Sequence, residues 1–216
     1  MIDTIFALSS GAPPAAIAVI RVSGPAAGVA MLALIGKQLA PRHATSAALR
    51  DGSGNVLDQA LALWLPGPGT ATGEDVLELH CHGGRAVIGA VQAALAAVPG
   101  LRAAEPGEFT RRAFANGRID LAEAEGLADL LSAETELQRQ SAIAMAGGAL
   151  SRKVQDWRDR LLLQSAALEA VLDFGDEDDV ATLPADFAVR IQVLEQELRS
   201  GWRGQGPRRC AKAIAL

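Results

Sequence analysis

Apolar and polar residues alternate through "TIFALS" (4–9), "AAIAVIRVS" (15–23), "NVLDQALALWL" (55–65) and "DVLELHCH" (75–82), and turn-forming residues bound each run. That period of two predicts four strands. In the third, Leu57, Leu61, Leu63 and Leu65 are expected to share one face. Between the strands, "PAAGVAMLALIG" (25–36) and "RAVIGAVQAALAAVPG" (85–100) predict helices, the second closed by Pro and Gly. The first half therefore predicts an α+β domain on an antiparallel or mixed sheet.

Beyond residue 118 the pattern changes. Gly and Pro become scarce up to residue 200, and Ala, Leu, Glu and Arg dominate, which marks a domain boundary there. "GRIDLAEAEGLADLLSAETELQRQSAIAMAG" (117–147) predicts one long helix opened by a capping box, Asp120 with Glu123 three residues on. Its apolar stripe is Leu121, Ala124, Leu127, Ala128 and Leu131. After Gly147-Gly148, the helical period runs through Leu150, Val154, Trp157, Leu161, Leu168 and Leu172. An acidic stretch, "DFGDEDDV", precedes a third helix over roughly 185–200. Three such helices leave apolar surface without a cover, so this half calls for a partner helix, a second subunit or further sequence. The expected organisation is thus 1–118, an all-α segment over 119–200, and a basic tail over 201–216.

Composition narrows the class. A hydrophobic fraction of 50% in 216 residues supplies a core and argues against disorder. The net charge of -5 and pI near 5.2 give no overall basic field for nucleic acid. Cys81 and Cys210 stand far apart with no CxxC, which fits a reducing compartment. The N-terminus lacks a basic n-region, and its apolar run "AAIAVI" stops at Arg21, too short for a membrane span. A soluble, cytoplasmic protein with no membrane partner is expected.

Candidate chemistry concentrates in "TGEDVLELHCHGG" (72–84). Strand alternation sends Leu77, Leu79 and Cys81 to one face and Val76, Glu78, His80 and His82 to the other. Cys81 then points into the core, away from the histidines, which disfavours a Cys-His nucleophile. His80 and His82 lack a local third ligand, and His43 lies in a loop whose placement the pattern leaves open, so no metal site is expected. Glu78 is either a partly exposed strand residue or a two-pronged acceptor for an amidine-like donor pair on a heterocycle. The following glycines are read as permitting a sharp turn into a helix. Arg21 either snorkels at a strand end or points into a site. Arg118 is either a loop cation or part of a boundary pocket. No GxxxxGK[ST] or GxGxxG occurs, so no nucleotide site of the P-loop type is expected in this sequence.

Taken together, "AIAVIRVSG" (16–24), "VLDQALALWLPGP" (56–68), "TGEDVLELHCHGG", "PGEFTRRAFANGRIDLAEAEGLADLL" (106–131) and "LDFGDEDDV" (172–180) resemble the N-terminal part of the tRNA-modification GTPase family called MnmE or TrmE. The resemblance implies a tetrahydrofolate-binding and dimerisation domain, then a helical domain into which the family inserts a GTP-binding domain served by GTP, Mg and K. It implies a homodimer working with an FAD-dependent partner of the MnmG or GidA type on carbon 5 of the wobble uridine of tRNA. A tetrahydrofolate, in its 5-formyl or 5,10-methylene form, would donate the one-carbon unit. The family's folate-contacting positions fall on Arg21, Glu78 and Arg118. After "ELRS" at 200 the sequence departs from the family, so a truncated or frameshifted product is expected. Cys210, in the departed tail, takes no role from the family's C-terminal cysteine. The alternatives are an isolated folate-binding module that works without its GTPase and a stand-alone folate-dependent enzyme of the aminomethyltransferase type. The enzyme would need an acid or base, for which His80 and His82 are the local candidates.

Overall fold

The computed structural model describes residues 3–173 and 182–204, so most of the acidic stretch and the end of the tail lie outside the described residues. The chain divides into two compact units, one spanning Met1–Ile119 and the other beginning at Asp120.

The first unit contains β1 (Thr4–Leu8), β2 (Ile17–Ser23), α1 (Ala27–Ile35), β3 (Thr45–Arg50), β4 (Val56–Leu65), β5 (Val76–His82), α2 (Arg85–Ala96), β6 (Leu101–Ala103) and α3 (Glu108–Ala115). Its six strands form one mixed sheet in the order β3-β4-β5-β2-β1-β6. All neighbours are antiparallel except β1 and β6, which run parallel. Alternation decides the two faces. Ala18, Ile20 and Val22 on β2, Leu77, Leu79 and Cys81 on β5, and Ala60, Ala62 and Trp64 on β4 are buried in one core. Ala27, Ala30, Met31 and Leu34 of α1 and Ile88, Val91 and Leu95 of α2 complete it. The opposite face carries Val19, Arg21, Glu78, His80, Leu61 and Leu63, all more exposed than the core row.

The four β4 leucines do not share a face. The β3-β4 register shifts between Leu49 and Arg50, leaving Leu57 as the extra residue of a bulge, and Leu57 packs against the core cluster. Such a bulge breaks the parity that a strict two-residue period assumes. Strands β3 and β6 were not legible as strands because one is a weakly patterned edge and the other has only three residues.

The second unit holds α4 (Leu121–Leu131), α5 (Glu136–Ala146), α6 (Ala149–Asp173) and α7 (Phe187–Gly204). The expected capping box at Asp120 and Glu123 opens α4. The expected single helix over 117–147 is two helices, because Thr135 and Gln138 form a second capping box that starts α5. Gly126 lets the pair approach backbone to backbone, since a Cβ there would lie 2.4 Å from the amide nitrogen of Ala146. Helices α6 and α7 are clasped by Glu197, whose Oε2 accepts hydrogen bonds from Lys153 (2.9 Å), Trp157 Nε1 (3.0 Å) and Arg160 (2.9 Å). The hydrogen bond from Lys153, followed by those from Trp157 and Arg160, holds the Glu197 carboxyl down to about 2. Leu121, Leu131, Leu161 and Leu172 of the predicted stripes stay exposed.

Candidate functional site

On the face of the sheet opposite the core, antiparallel register sets Arg21 of β2 directly against Glu78 of β5. Arg21 donates through Nε (2.9 Å) and Nη2 (2.7 Å), and both bonds end on Glu78 Oε1. A carboxylate offers about four lone-pair positions, two on each oxygen. Arg21 therefore saturates one oxygen and leaves Oε2 available. The side chains are 31% and 17% exposed, so the pair is half-buried yet reachable. Phe109 of α3 lies against the guanidinium, with Arg21 Cζ 5.9 Å from the ring centroid, within cation-π range. Leu63 stands beside Glu78 in register and gives the site an apolar flank.

His80 occupies the next position of the same row, between Val19 and Leu61. Its Nε2 lies 3.5 Å from Glu78 Oε2, within ion-pair range but not aligned for a hydrogen bond. That nitrogen is buried and makes no hydrogen bond. His82 is engaged differently. Its Nδ1 lies 2.7 Å from Asp58 Oδ1, and its backbone N–H donates to Asp58 Oδ2 at 2.8 Å. Burial works against the charge on Asp58, but these bonds outweigh it and hold the carboxyl below its ordinary value.

Cys81 is buried on the core side, with burial first and the nearby Asp58 charge second pushing its thiol up to about 12. A thiol so disposed stays protonated and unreactive at neutral pH. Among the described residues, no group of three or more His, Cys, Asp and Glu side chains could hold a metal ion.

Arg118 hydrogen-bonds to neither Arg21 nor Glu78. Its Nε donates to the carbonyl of Thr70 (3.1 Å), and its stem lies close against Gly73. Asn116 joins it by donating to the carbonyl of Thr72 (2.7 Å). The end of α3 is thereby tied to the 66–75 loop, the segment that leads into β5 and Glu78.

An ionic network that no sequence pattern announced seats α3. Glu108 is 3% exposed and receives Arg102 Nη2 at 2.5 Å, Arg112 Nη2 at 3.1 Å and the Glu105 amide at 2.9 Å. Arg102 also pairs with Asp3, and Arg112 bridges Asp3 (2.7 Å) and Glu74 (3.1 Å). Glu74 in turn accepts from Ser23 (2.7 Å), a fully buried hydroxyl that also bonds Thr72 (2.7 Å). The hydrogen bond from Arg102 outweighs desolvation and, with those from Glu105 and Arg112, holds Glu108 down to about 2. These residues come from distant segments, and no local spacing links them. The "PGEF" that starts α3 could have marked only the Glu as a first-turn acid.

Against known proteins, a model described as the GTP-binding protein TrmE N-terminus matches residues 4–118, and one described as the MnmE helical domain matches 121–205. The chain belongs to the MnmE (TrmE) family. It is similar to the tRNA modification GTPase MnmE of Novosphingobium aromaticivorans, at 71% identity over 195 residues, which is 90% of this chain and 44% of that protein. The MnmE of Erythrobacter litoralis is 64% identical over 196 residues, or 91% and 46% of the two chains. That of Rhizorhabdus wittichii is 61% identical over 208 residues, or 95% and 47%. The chain thus spans less than half the length of these MnmE relatives. Arg21, Glu78 and Arg118 all fall in the part matched to the TrmE N-terminus, and the division of the structure between Ile119 and Asp120 falls between the two matches.

Proposed function

We propose that this chain acts as the N-terminal portion of a GTPase that modifies carbon 5 of the wobble uridine of tRNA, and that its first unit binds a one-carbon tetrahydrofolate. The observation that carries the folate reading is Glu78: a half-buried carboxylate with one oxygen saturated by Arg21 and the other open beside an apolar flank. A pterin offers a ring N–H beside an amino group, donors that the open oxygen of Glu78 can accept. Phe109 and Leu63 supply apolar surface for the ring, and Arg21 and Arg118 supply cations for oxygen acceptors or for the glutamate tail.

The same reading has the first unit pair with a second copy, and the whole protein work in the cytoplasm with an FAD-dependent partner on tRNA. The GTPase activity in the relatives' name has no P-loop in this sequence to carry it, so the claim for this chain is binding without turnover. Among the described residues no helix is long and apolar enough to cross a membrane.

Calorimetric titration with 5-formyltetrahydrofolate tests the assignment. Glu78→Ala should lose at least ~2 kcal/mol of affinity, because it strips the acceptor from buried pterin donors. Equal binding by the variant and the parent chain would refute the role given to Glu78. Folate-dependent turnover by this chain alone would favour the stand-alone enzyme instead.

A further inference from the structure

The unsatisfied nitrogen in this site belongs to His80. Its Nε2 is buried, makes no hydrogen bond and lies 3.5 Å from Glu78 Oε2, the oxygen that Arg21 leaves open. A buried polar atom without a partner is costly, so an arrangement that satisfies it is favoured. An imidazolium donating to a carboxylate draws in to about 2.7–2.9 Å. That closure needs less than an ångström of movement by a side chain that is still 30% exposed.

Resting on the folate reading above, we infer that His80 is a proton-controlled gate on Glu78. When charged, it donates Nε2–H to Oε2 and competes with a pterin for the one oxygen that Arg21 leaves open. When neutral with the proton on Nδ1, it turns a lone pair toward the carboxylate and leaves Oε2 to the ligand. The charged groups beside it are Glu78, on its own strand, and the Arg21 guanidinium, which β2 sets against Glu78. His82 lies two residues along the same row, and Asp58 of β4 is engaged by His82 rather than by His80. Val19 and Leu61, the register neighbours on β2 and β4, are apolar and screen nothing.

The gate makes folate affinity fall as pH drops through the range where imidazoles gain their proton, roughly pH 8 to 5. Losing one charge-assisted acceptor position predicts roughly tenfold weaker binding at the acid end. The experiment is calorimetric titration of the full chain with 5-formyltetrahydrofolate at pH 8.0, 7.0, 6.0 and 5.5, for the parent and for His80→Gln. The parent should weaken about tenfold, and the variant, which keeps a donor of similar reach but no titrating charge, should stay nearly flat. An equal pH dependence in both, or none in the parent, overturns the gate. A second arm needs no folate: the His80 imidazole is titrated by NMR in the parent and in Glu78→Gln. A lower midpoint in Glu78→Gln supports the pair, and an unchanged midpoint overturns it. Absence of folate binding at every pH would sink the folate reading, and the NMR arm would still decide whether His80 and Glu78 share a proton.

Discussion

Glu78 keeps one oxygen open to a further donor because Arg21 directs two of its N–H groups to the other, leaving Oε2 with only the unaligned His80 Nε2 near it. Lysine cannot reproduce this two-donor fork. Arg21→Lys should therefore cost about 0.5–1.5 kcal/mol of stability, a modest sum because the pair is half-exposed, and a larger part of any folate affinity. Urea unfolding and calorimetry on one preparation would separate the two losses, and a variant unchanged in both would remove Arg21 from the site. Alternation was enough to place Cys81 in the core and Glu78 with His80 on the other face. The identity of the carboxylate's partner was beyond it, because Arg21 meets Glu78 only through β2-β5 register. Of the glycines after His82, Gly83 answers to close packing rather than to a torsional need. Gly84 has an ordinary extended backbone, whereas a Cβ on Gly83 would lie 2.3 Å from the carbonyl oxygen of Ala15. There the two backbones exchange hydrogen bonds, Gly83 N–H to Ala16 and Ala15 N–H to Gly83. Gly83→Ala should cost about 1–3 kcal/mol or more by overpacking against backbone that cannot swing aside. A thermal midpoint equal to that of the parent would show that the strand pairing yields.

Helix α3 has little apolar surface to hold it, with Ala113 its one buried hydrophobic residue, so the ionic network around Glu108 does the seating. A buried carboxylate is tolerable only when its lone pairs are met, and Arg102, Arg112 and the Glu105 amide meet them. The depressed Glu108 carboxyl has a direct consequence for acid stability. Its folded value near 2 lies below its ordinary 4.5, so its contribution is present in full above pH 4.5 and is lost as pH falls toward 2. At neutral pH that contribution is on the order of 1–3 kcal/mol. Glu108→Gln should be destabilised by that order at pH 6–7, and its deficit against the parent should shrink as unfolding is repeated at pH 4, 3 and 2.5. Comparing the two chains at each pH matters, because Glu197, held low by a separate set of donors, titrates in the parent and the variant alike. A deficit that stays constant with pH would mean that Glu108 acts through shape rather than charge. At this scale the long strands and α1 and α2 were legible because each carries one uninterrupted period. The break between α4 and α5 was not, since no Gly or Pro falls between Leu127 and Ala146 and only the second capping box, Thr135 with Gln138, marks it.

The two units differ in how they are held, and that difference should set where the molecule opens first. In the first unit, two helices and all six strands bury a contiguous apolar cluster that includes Ile20, Leu77 and Leu79 at zero exposure. In the second, the described residues bury little: Ala142 and Leu194 are its buried hydrophobic side chains, while Leu131 is 79% exposed. Its order rests on capping boxes, the close approach at Gly126, and the Glu197 clasp, which is solvent-accessible and open to screening. Local stability follows buried contact, so amide exchange should report two levels of protection. The β2 and β5 amides should exchange only through unfolding of the first unit, and those of α4 to α7 should exchange orders of magnitude faster. Raising salt should widen the gap by weakening the Glu197 clasp while leaving the apolar core unharmed. If the folate reading holds, 5-formyltetrahydrofolate should further slow exchange around Arg21 and Glu78 and leave the helical amides unchanged, because ligand stabilises what binds it. Hydrogen exchange read by mass spectrometry of peptic fragments checks all of this in one series. Uniform protection across both units would overturn it, since a thinly buried helical unit could match the sheet only by sharing its cooperative unfolding.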